Sequence, residues 1–310
     1  MQRFLIIQTA FIGDVILATA LIEKLKSHYP DAEIDFLLRK GNEGLLRNHP
    51  LLNRIYILNK RERKWSNVVK MIRQLRTTRY DHLINLQRFM TTGILSLFAR
   101  ADQKTGFDKN PLSRFYDTKV RHTIGDGTHE VERNLRLVED ITDGSFTRPR
   151  LYPTQADFET IAPYMKSRYV CIAPASVWYT KQFPSDQWVE LIRRLPDDRT
   201  IYLIGGPEDH GLCEHIAHQA QREGIHNLAG KHPFLATAAL MKHAVMNYVN
   251  DSAPLHIASA MNAPVRAVFC STIPGFGFYP VSDDSKVVEL QNDLYCRPCG
   301  LHGYKACPEG

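Results

Sequence analysis

The sequence predicts an α/β protein built from two doubly wound parallel-sheet domains. Three observations carry that prediction. Strand-like apolar runs and segments of helical period alternate from the first residue, with short connections. The alternation weakens over Asp143–Arg168, where Pro149, Pro153 and Pro163 interrupt a stretch that reads as a linker. A second alternation then begins at Tyr169. The 310 residues are enough for two ordinary cores, which gives domains at 1–150 and 151–310. No strict sequence repeat joins them.

In the first half, Phe4–Gln8 reads as a strand. Asp14–His28 reads as a helix in which Ile16, Leu17, Leu21, Ile22 and Leu25 recur near helical spacing. Ile34–Leu38 and Arg54–Leu58 are the next strands. A basic helix follows, with Trp65, Val68, Val69, Ile72 and Leu75 spaced as one face. His82–Leu86 is a strand, and Met90–Ala99 and Glu130–Asp140 are helices. In the second half, strands are expected at Tyr169–Ala173, Thr200–Ile204, Val245–Val249 and Val265–Phe269. Helices are expected at Asp186–Leu195, Glu208–Glu223, Pro233–His243 and Pro254–Met261.

An apolar fraction of 44% and a charged fraction of 23% are those of a globular protein and exclude disorder. No apolar run approaches the roughly 20 residues of a membrane-spanning helix. The first residues read as a strand and lack the features of a signal peptide, so a cytoplasmic protein is expected. The net charge of +6 favours acidic partners. Much of it gathers around Lys60, Arg61, Arg63, Lys64, Lys70, Arg73, Arg76 and Arg79. That segment reads either as a solvated helix face over a core stripe or as a surface that meets anionic lipid. The interleaved stacking aromatics of a nucleic-acid groove are missing, so no nucleic-acid partner is expected. Cys171, Cys213 and Cys270 stand alone and are expected to be reduced.

Open parallel sheets bind ligands outside the carboxyl ends of their strands, so the loops after strands are the places to look for chemistry. Three stand out. In Thr9-Ala10-Phe11-Ile12-Gly13-Asp14, Asp14 is either a first-turn acid favoured by the helix dipole or a general base. In Pro174–Pro184, Ser176 and Thr180 can donate hydrogen bonds to a diphosphate and Lys181 supplies a point charge, although the glycines of a Walker motif are missing. In Asn250-Asp251-Ser252-Ala253-Pro254-Leu255-His256, Ser252 is a candidate N-cap and Pro254 suits a first turn. Free backbone N–H groups there would form an anion site. The plainer alternative is a capped helix with a structural Asp251 and an ordinary His256.

Taken together, in this order and spacing, the Gly13-Asp14 turn, the Pro174–Lys181 loop ahead of Pro184, and Asn250-Asp251-Ser252 with His256 resemble the heptosyltransferases of glycosyltransferase family 9. Gly205-Gly206-Pro207-Glu208, Leu228-Ala229-Gly230 and the Cys-rich tail fit as well, so the resemblance covers nearly the whole chain. It implies a GT-B fold of two facing Rossmann-like domains around an interdomain cleft, with an N-terminal acceptor domain and a C-terminal nucleotide-sugar domain. It also implies an inverting transfer from an ADP-linked heptose to the lipopolysaccharide inner core, with no metal or other cofactor required. By position, Asp14 would be the base and Lys181 would neutralise the leaving diphosphate. Ser176, Ser252 and the backbone N–H groups from Ser252 and Ala253 would hold the phosphates. Asp251 and His256 would seat the donor, and Glu208 would lie on the nucleoside side.

The acceptor would be a lipid-linked phosphorylated saccharide, drawn by Lys60, Arg61, Arg63 and Lys64 to a peripheral site on the inner membrane. Phe89, Ile94, Leu95 and Phe98 would either touch lipid or form core. Thr19-Ala20, Ser252-Ala253 and Val177-Trp178 depart from the family pattern and leave the donor sugar open. The rival readings are a nucleotide-sugar epimerase of the same architecture and a non-catalytic nucleotide-sugar-binding protein. The joint presence of Asp14, Lys181 and Asp251 argues against the second. In the tail, Cys296, Cys299, His302 and Cys307 have spacing that could bind a structural zinc. A reduced cluster without metal is the preferred reading, and the end at Gly310 suggests a truncated chain.

Overall fold

A computed structural model describes residues 1–292 and 294–309. The chain falls into two compact units, Met1–Ile124 with Thr128–Tyr152, and Gly125–Gly127 with Pro153–Gly310. The first contains β1 (Arg3–Ile7), α1 (Ile12–His28), β2 (Glu33–Arg39), β3 (Arg54–Leu58), α2 (Lys64–Leu75), β4 (Tyr80–Asn85), α3 (Met90–Phe98), β5 (Ala101–Phe107), β6 (Thr118–Val120) and α4 (Glu130–Leu135). Its strands are parallel in the order β3-β2-β1-β4-β5-β6, with Phe4 of β1 opposite Ile34 on one side and His82 on the other.

The second unit contains α5 (Gln155–Ile161), β7 (Tyr169–Ala173), α6 (Ser185–Arg194), β8 (Thr200–Leu203), α7 (His210–Ala220), β9 (Ile225–Asn227), α8 (Phe234–His243), β10 (Met246–Asn250), α9 (Ala253–Ala260), β11 (Val265–Phe269) and β12 (Ser285–Glu289). Its strands are also parallel, in the order β12-β11-β10-β7-β8-β9. Both sheets are therefore doubly wound in the same sense: the first and fourth strands of each unit are neighbours at the middle.

Central strands of such a sheet are covered on both faces and read as unbroken apolar runs. Phe4–Ile7 and Tyr169–Ala173 are of this kind and wholly buried. β5, β6, β9 and β12 are absent from the sequence reading, and all four lie at or next to a sheet edge. There one or both faces are open, so β5 (ADQKTGF) and β12 (SKVVE) carry polar residues and lose the signal.

Three further differences have clear causes. The segment expected to be a linker is partly built into the units. Lys24 of α1 has its ammonium buried and paired with Asp143, and donates to the carbonyl and hydroxyl oxygens of Ser145 at 2.8 and 2.7 Å. Within the same stretch α5 is capped by Thr154 and Asp157 and packs its Phe158 ring edge-on to His243 of α8. The helix expected over Glu130–Asp140 is α-helical only to Leu135 and then tightens to a 3-10 turn.

The third difference lies in α2. Val68, Met71 and Leu75 are its buried face, whereas Trp65 and Val69 are exposed among the basic residues. Leu95 of α3 is core, while Phe89 and Phe98 are exposed.

Candidate active site

A doubly wound sheet opens a crevice where neighbouring strands send their connections to opposite faces. In the second unit that point lies between β7 and β10. Asn250, the last residue of β10, organises it. Its side-chain amide donates to the Pro174 carbonyl at 2.7 Å, and its oxygen accepts from the Phe183 N–H at 3.0 Å, so both ends of the β7 loop are tied to one buried residue. Gln182 closes the loop internally by donating to the Ser176 carbonyl at 2.8 Å. Held this way, Lys181 places its ammonium 2.6 Å from a carboxylate oxygen of Asp251, and both side chains are largely buried. The Thr272 hydroxyl donates to the same oxygen at 2.5 Å. A low-dielectric setting strengthens such a pair and fixes the ammonium above the end of β7.

Ser252 is the N-cap residue of α9 by position, but its side chain does not cap the helix; the hydroxyl lies 3.4 Å from the Asn250 carbonyl. Ala253 opens α9 with Pro254 behind it. His256, one turn on, is buried with its ring edge-on to Phe278. Lys181, Asp251, Ser252, Ala253 and His256 thus belong to one switch point, with Ser176 in the same loop as Lys181. Thr180 is otherwise occupied: its hydroxyl accepts from the Tyr304 N–H at 2.8 Å. Glu208 sits one strand further out, exposed in the turn after β8 and folded against Gly206, while its neighbour Asp209 accepts the Gly206 N–H at 2.8 Å.

The zinc spacing does not yield a ligand set. Among the described residues no group of three or more His, Cys, Asp or Glu side chains is arranged to hold a metal. The backbone around Tyr304 is drawn to the β7 loop, which carries His302 toward Trp178, with ring centroids 6.4 Å apart and nearly parallel planes. Cys299 meanwhile donates to the Cys296 carbonyl at 3.6 Å.

In the first unit the switch point lies between β1 and β4. Asp14, in the first turn of α1, accepts the Phe11 N–H at 3.1 Å, so the first-turn role read from the sequence is real. Lys60 comes to the same loop, donating to the carbonyl and hydroxyl oxygens of Thr9 at 3.0 and 2.6 Å. Burial pushes this lysine down to about 8, with Arg39 and Lys64 adding to the effect. Lys60 is therefore held by the loop that precedes α1 and is not part of the exposed basic surface, which keeps Arg61, Arg63 and Lys64. Arg39 stacks over the exposed Phe11 ring at 4.7 Å.

Sequence reasoning missed the pair behind Asp14. Glu130 and Arg133 lie one turn apart on α4, which packs on α1, and form a buried ion pair at 2.8 Å. The only signal for it was the charged i, i+3 spacing inside an otherwise core-forming stretch. Asn250 and Thr272, which hold the loop and the aspartate of the other unit, were missed as well.

Residues 68–303 match the model of glycosyltransferase family 9 (heptosyltransferase). The chain belongs to this family. Within family 9, lipopolysaccharide heptosyltransferase 3 of Escherichia coli (strain K12) is 31% identical over 283 residues, spanning 84% of this chain and 80% of that protein. The fold is that of E. coli ADP-heptose lipopolysaccharide heptosyltransferase II, with a TM-score of 0.81 at 21% identity over 98% of this chain and 92% of that one. E. coli heptosyltransferase WaaC with ADP aligns at a TM-score of 0.78 and 20% identity, over 93% of each chain. The two parallel six-stranded sheets are thus the two halves of a family 9 GT-B glycosyltransferase.

Glu130 gives this family 9 member a measurable pH signature. Burial pushes its carboxyl up to about 7; Arg133 opposes the rise, the charge of Asp14 adds to it, and Arg88 opposes it weakly. The folded chain keeps this proton up to about 7, whereas the unfolded chain releases it near 4.5. Stability contributed by the protonated form is complete below the lower value and is lost as pH rises through the upper one. Glu130→Gln should remove that slope, so that its stability relative to wild type improves from pH 4.5 to 8 by up to about 3 kcal/mol. Denaturant unfolding of both proteins across that range is the check, and parallel pH profiles would contradict the assignment.

Proposed function

We propose that the protein transfers a heptose, or a closely related sugar, from an ADP-linked donor to a phosphorylated, lipid-linked saccharide of the lipopolysaccharide inner core, with inversion at the anomeric carbon. The names of its family 9 relatives support the substrate class. The observation that carries the chemistry is the largely buried Lys181–Asp251 pair beside the start of α9. Such a pair is a preorganised cation next to a helix N-terminus, which suits a diphosphate.

In the proposed reaction the acceptor oxygen attacks the anomeric carbon from the face opposite the nucleotide. The new C–O bond forms as the bond to the β-phosphate oxygen breaks. The acceptor proton passes to Asp14. A carboxylate at a helix N-terminus is a weak base, but the hydroxyl grows acidic as its bond to the electron-poor carbon forms. ADP leaves with its charge met by Lys181, by Ser176 and Ser252, and by the N–H groups opening α9. That provision replaces a divalent cation. Asp251 and His256 seat the sugar, and Glu208 faces the nucleoside.

The exposed Arg61, Arg63 and Lys64 with Trp65 and Val69 form a basic and apolar surface suited to an anionic membrane. On that surface we assign the protein to the cytoplasmic face as a peripheral enzyme; no helix among the described residues is long and apolar enough to cross a membrane. An epimerase would use the same donor pocket without an acceptor; the relatives' transfer activity favours the transferase.

Three outcomes are expected. Asp14→Asn should lower turnover by about 10²-fold or more while ADP-sugar binding persists; an undiminished rate would remove Asp14 from the reaction. Lys181→Ala should weaken ADP binding by about tenfold to a hundredfold in calorimetry with excess chelator, where wild type keeps its full rate. Unchanged affinity would refute the role of the lysine, and loss of wild-type activity in chelator would refute metal independence. The Arg61→Ala, Arg63→Ala, Lys64→Ala triple variant should lose about a hundredfold in partition onto anionic vesicles at low salt, and the difference should fade at high salt. Equal partition at low salt would exclude that surface as the membrane contact.

A further inference from the structure

After β12 the chain runs back to the donor switch point and fastens itself there in steps. Arg297 donates through one guanidinium nitrogen to Glu289 at 2.5 Å and to the Thr272 carbonyl at 2.8 Å. The Cys299 N–H donates to the Ser271 carbonyl at 2.8 Å, and the Gly303 N–H to the Cys299 carbonyl at 3.1 Å. The segment ends in a reciprocal clasp on the β7 loop: the Tyr304 N–H donates to the Thr180 hydroxyl at 2.8 Å, and the Thr180 N–H to the Tyr304 carbonyl at 3.2 Å. Thr272, which anchors Arg297, is also the residue whose hydroxyl holds Asp251. The segment therefore touches the supports of both partners in the Lys181–Asp251 pair.

Gly303 fits only as glycine, for two reasons. Its φ is +81°, a region costly for any side chain. A Cβ there would also stand 2.9 Å from the Thr180 hydroxyl oxygen, 3.2 Å from Cγ of Lys181 and 3.3 Å from the Ser271 hydroxyl oxygen. The backbone at 303 is thus in direct packing contact with the lysine stem, and any added bulk must displace Lys181 or lift the segment.

We propose that residues 296–304 form a strap that positions Lys181 for the donor diphosphate, with Gly303 and the Thr180–Tyr304 clasp as its positioning elements. This rests on the donor role given to Lys181 above. Thr180 then serves the strap and not a phosphate. The strap acts through placement of a charge, and a misplacement of even an ångström at such a site is costly.

Calorimetric ADP binding and steady-state kinetics on the full chain test this, with Lys181→Ala as the reference. Thr180→Val removes the clasp's hydroxyl at constant shape, and Gly303→Ala drives bulk into Lys181. Each should weaken ADP binding by about tenfold and raise donor KM while leaving acceptor KM unchanged. Thr180→Ser should restore wild-type affinity.

Wild-type ADP affinity in both Thr180→Val and Gly303→Ala, with Lys181→Ala still impaired, would overturn the strap while leaving the donor site intact. A Thr180→Ser variant as weak as Thr180→Val would also overturn it. Should Lys181→Ala itself bind ADP normally, the donor reading fails first and the strap with it. If Gly303→Ala does not fold, the Thr180 pair decides alone.

Discussion

The order of strands constrains everything else in this protein. In each unit the first and fourth strands are neighbours, and their following loops leave in opposite directions, so the sheet itself cannot fill the space between them. The backbone groups at those strand ends have lost their ladder partners and must be satisfied by side chains. Asn250 does this for the β7 loop, and Gln8, Asn85 and Asn110 do it around β1 and β4. Polar residues collect at these points because the topology leaves polar backbone there, and that collection makes a chemical site possible.

Charge is handled differently in the two units. Lys181 and Asp251 are buried as a matched pair, each offsetting the other's desolvation, with a threonine hydroxyl satisfying the aspartate further. Around Asp14 the balance is less even. Glu130 is buried deeply enough that Arg133 does not compensate it, and Lys60 is held below its ordinary range by burial and by cationic neighbours. In the proposed reaction the surroundings of Asp14 would be the site that accepts a proton, where groups whose charge is not fully settled are of use, and the other unit would meet the diphosphate with a preorganised ion pair.

Asp14 has a structural role that the proposed chemistry would not displace. Its carboxylate satisfies the Phe11 N–H at the start of α1. Thr180 shows the reverse. A hydroxyl that chemistry would gladly assign to a phosphate is taken by the backbone of Tyr304, more than a hundred residues later.

The sequence by itself determined the class of fold, the central strands of both sheets and the loops that carry Asp14, Lys181 and Asp251. It could do so because central strands are apolar throughout and because loops after them have distinctive local chemistry, and both signals are contained within a few residues. Only the tertiary structure decided the rest. The edge strands carry mixed faces whose pairing is set by neighbours. Trp65 and Val69 share a helical period with core residues but fall on the open side of α2. Lys60 looked like part of a surface cluster until the fold brought Thr9 to it. The tail cysteines have ligand spacing and Cys296 and Cys307 lie near Cys299, yet the His302 ring is stacked toward Trp178. In each case the deciding interaction joins residues distant in sequence, and no local pattern of side chains encodes which distant partner arrives.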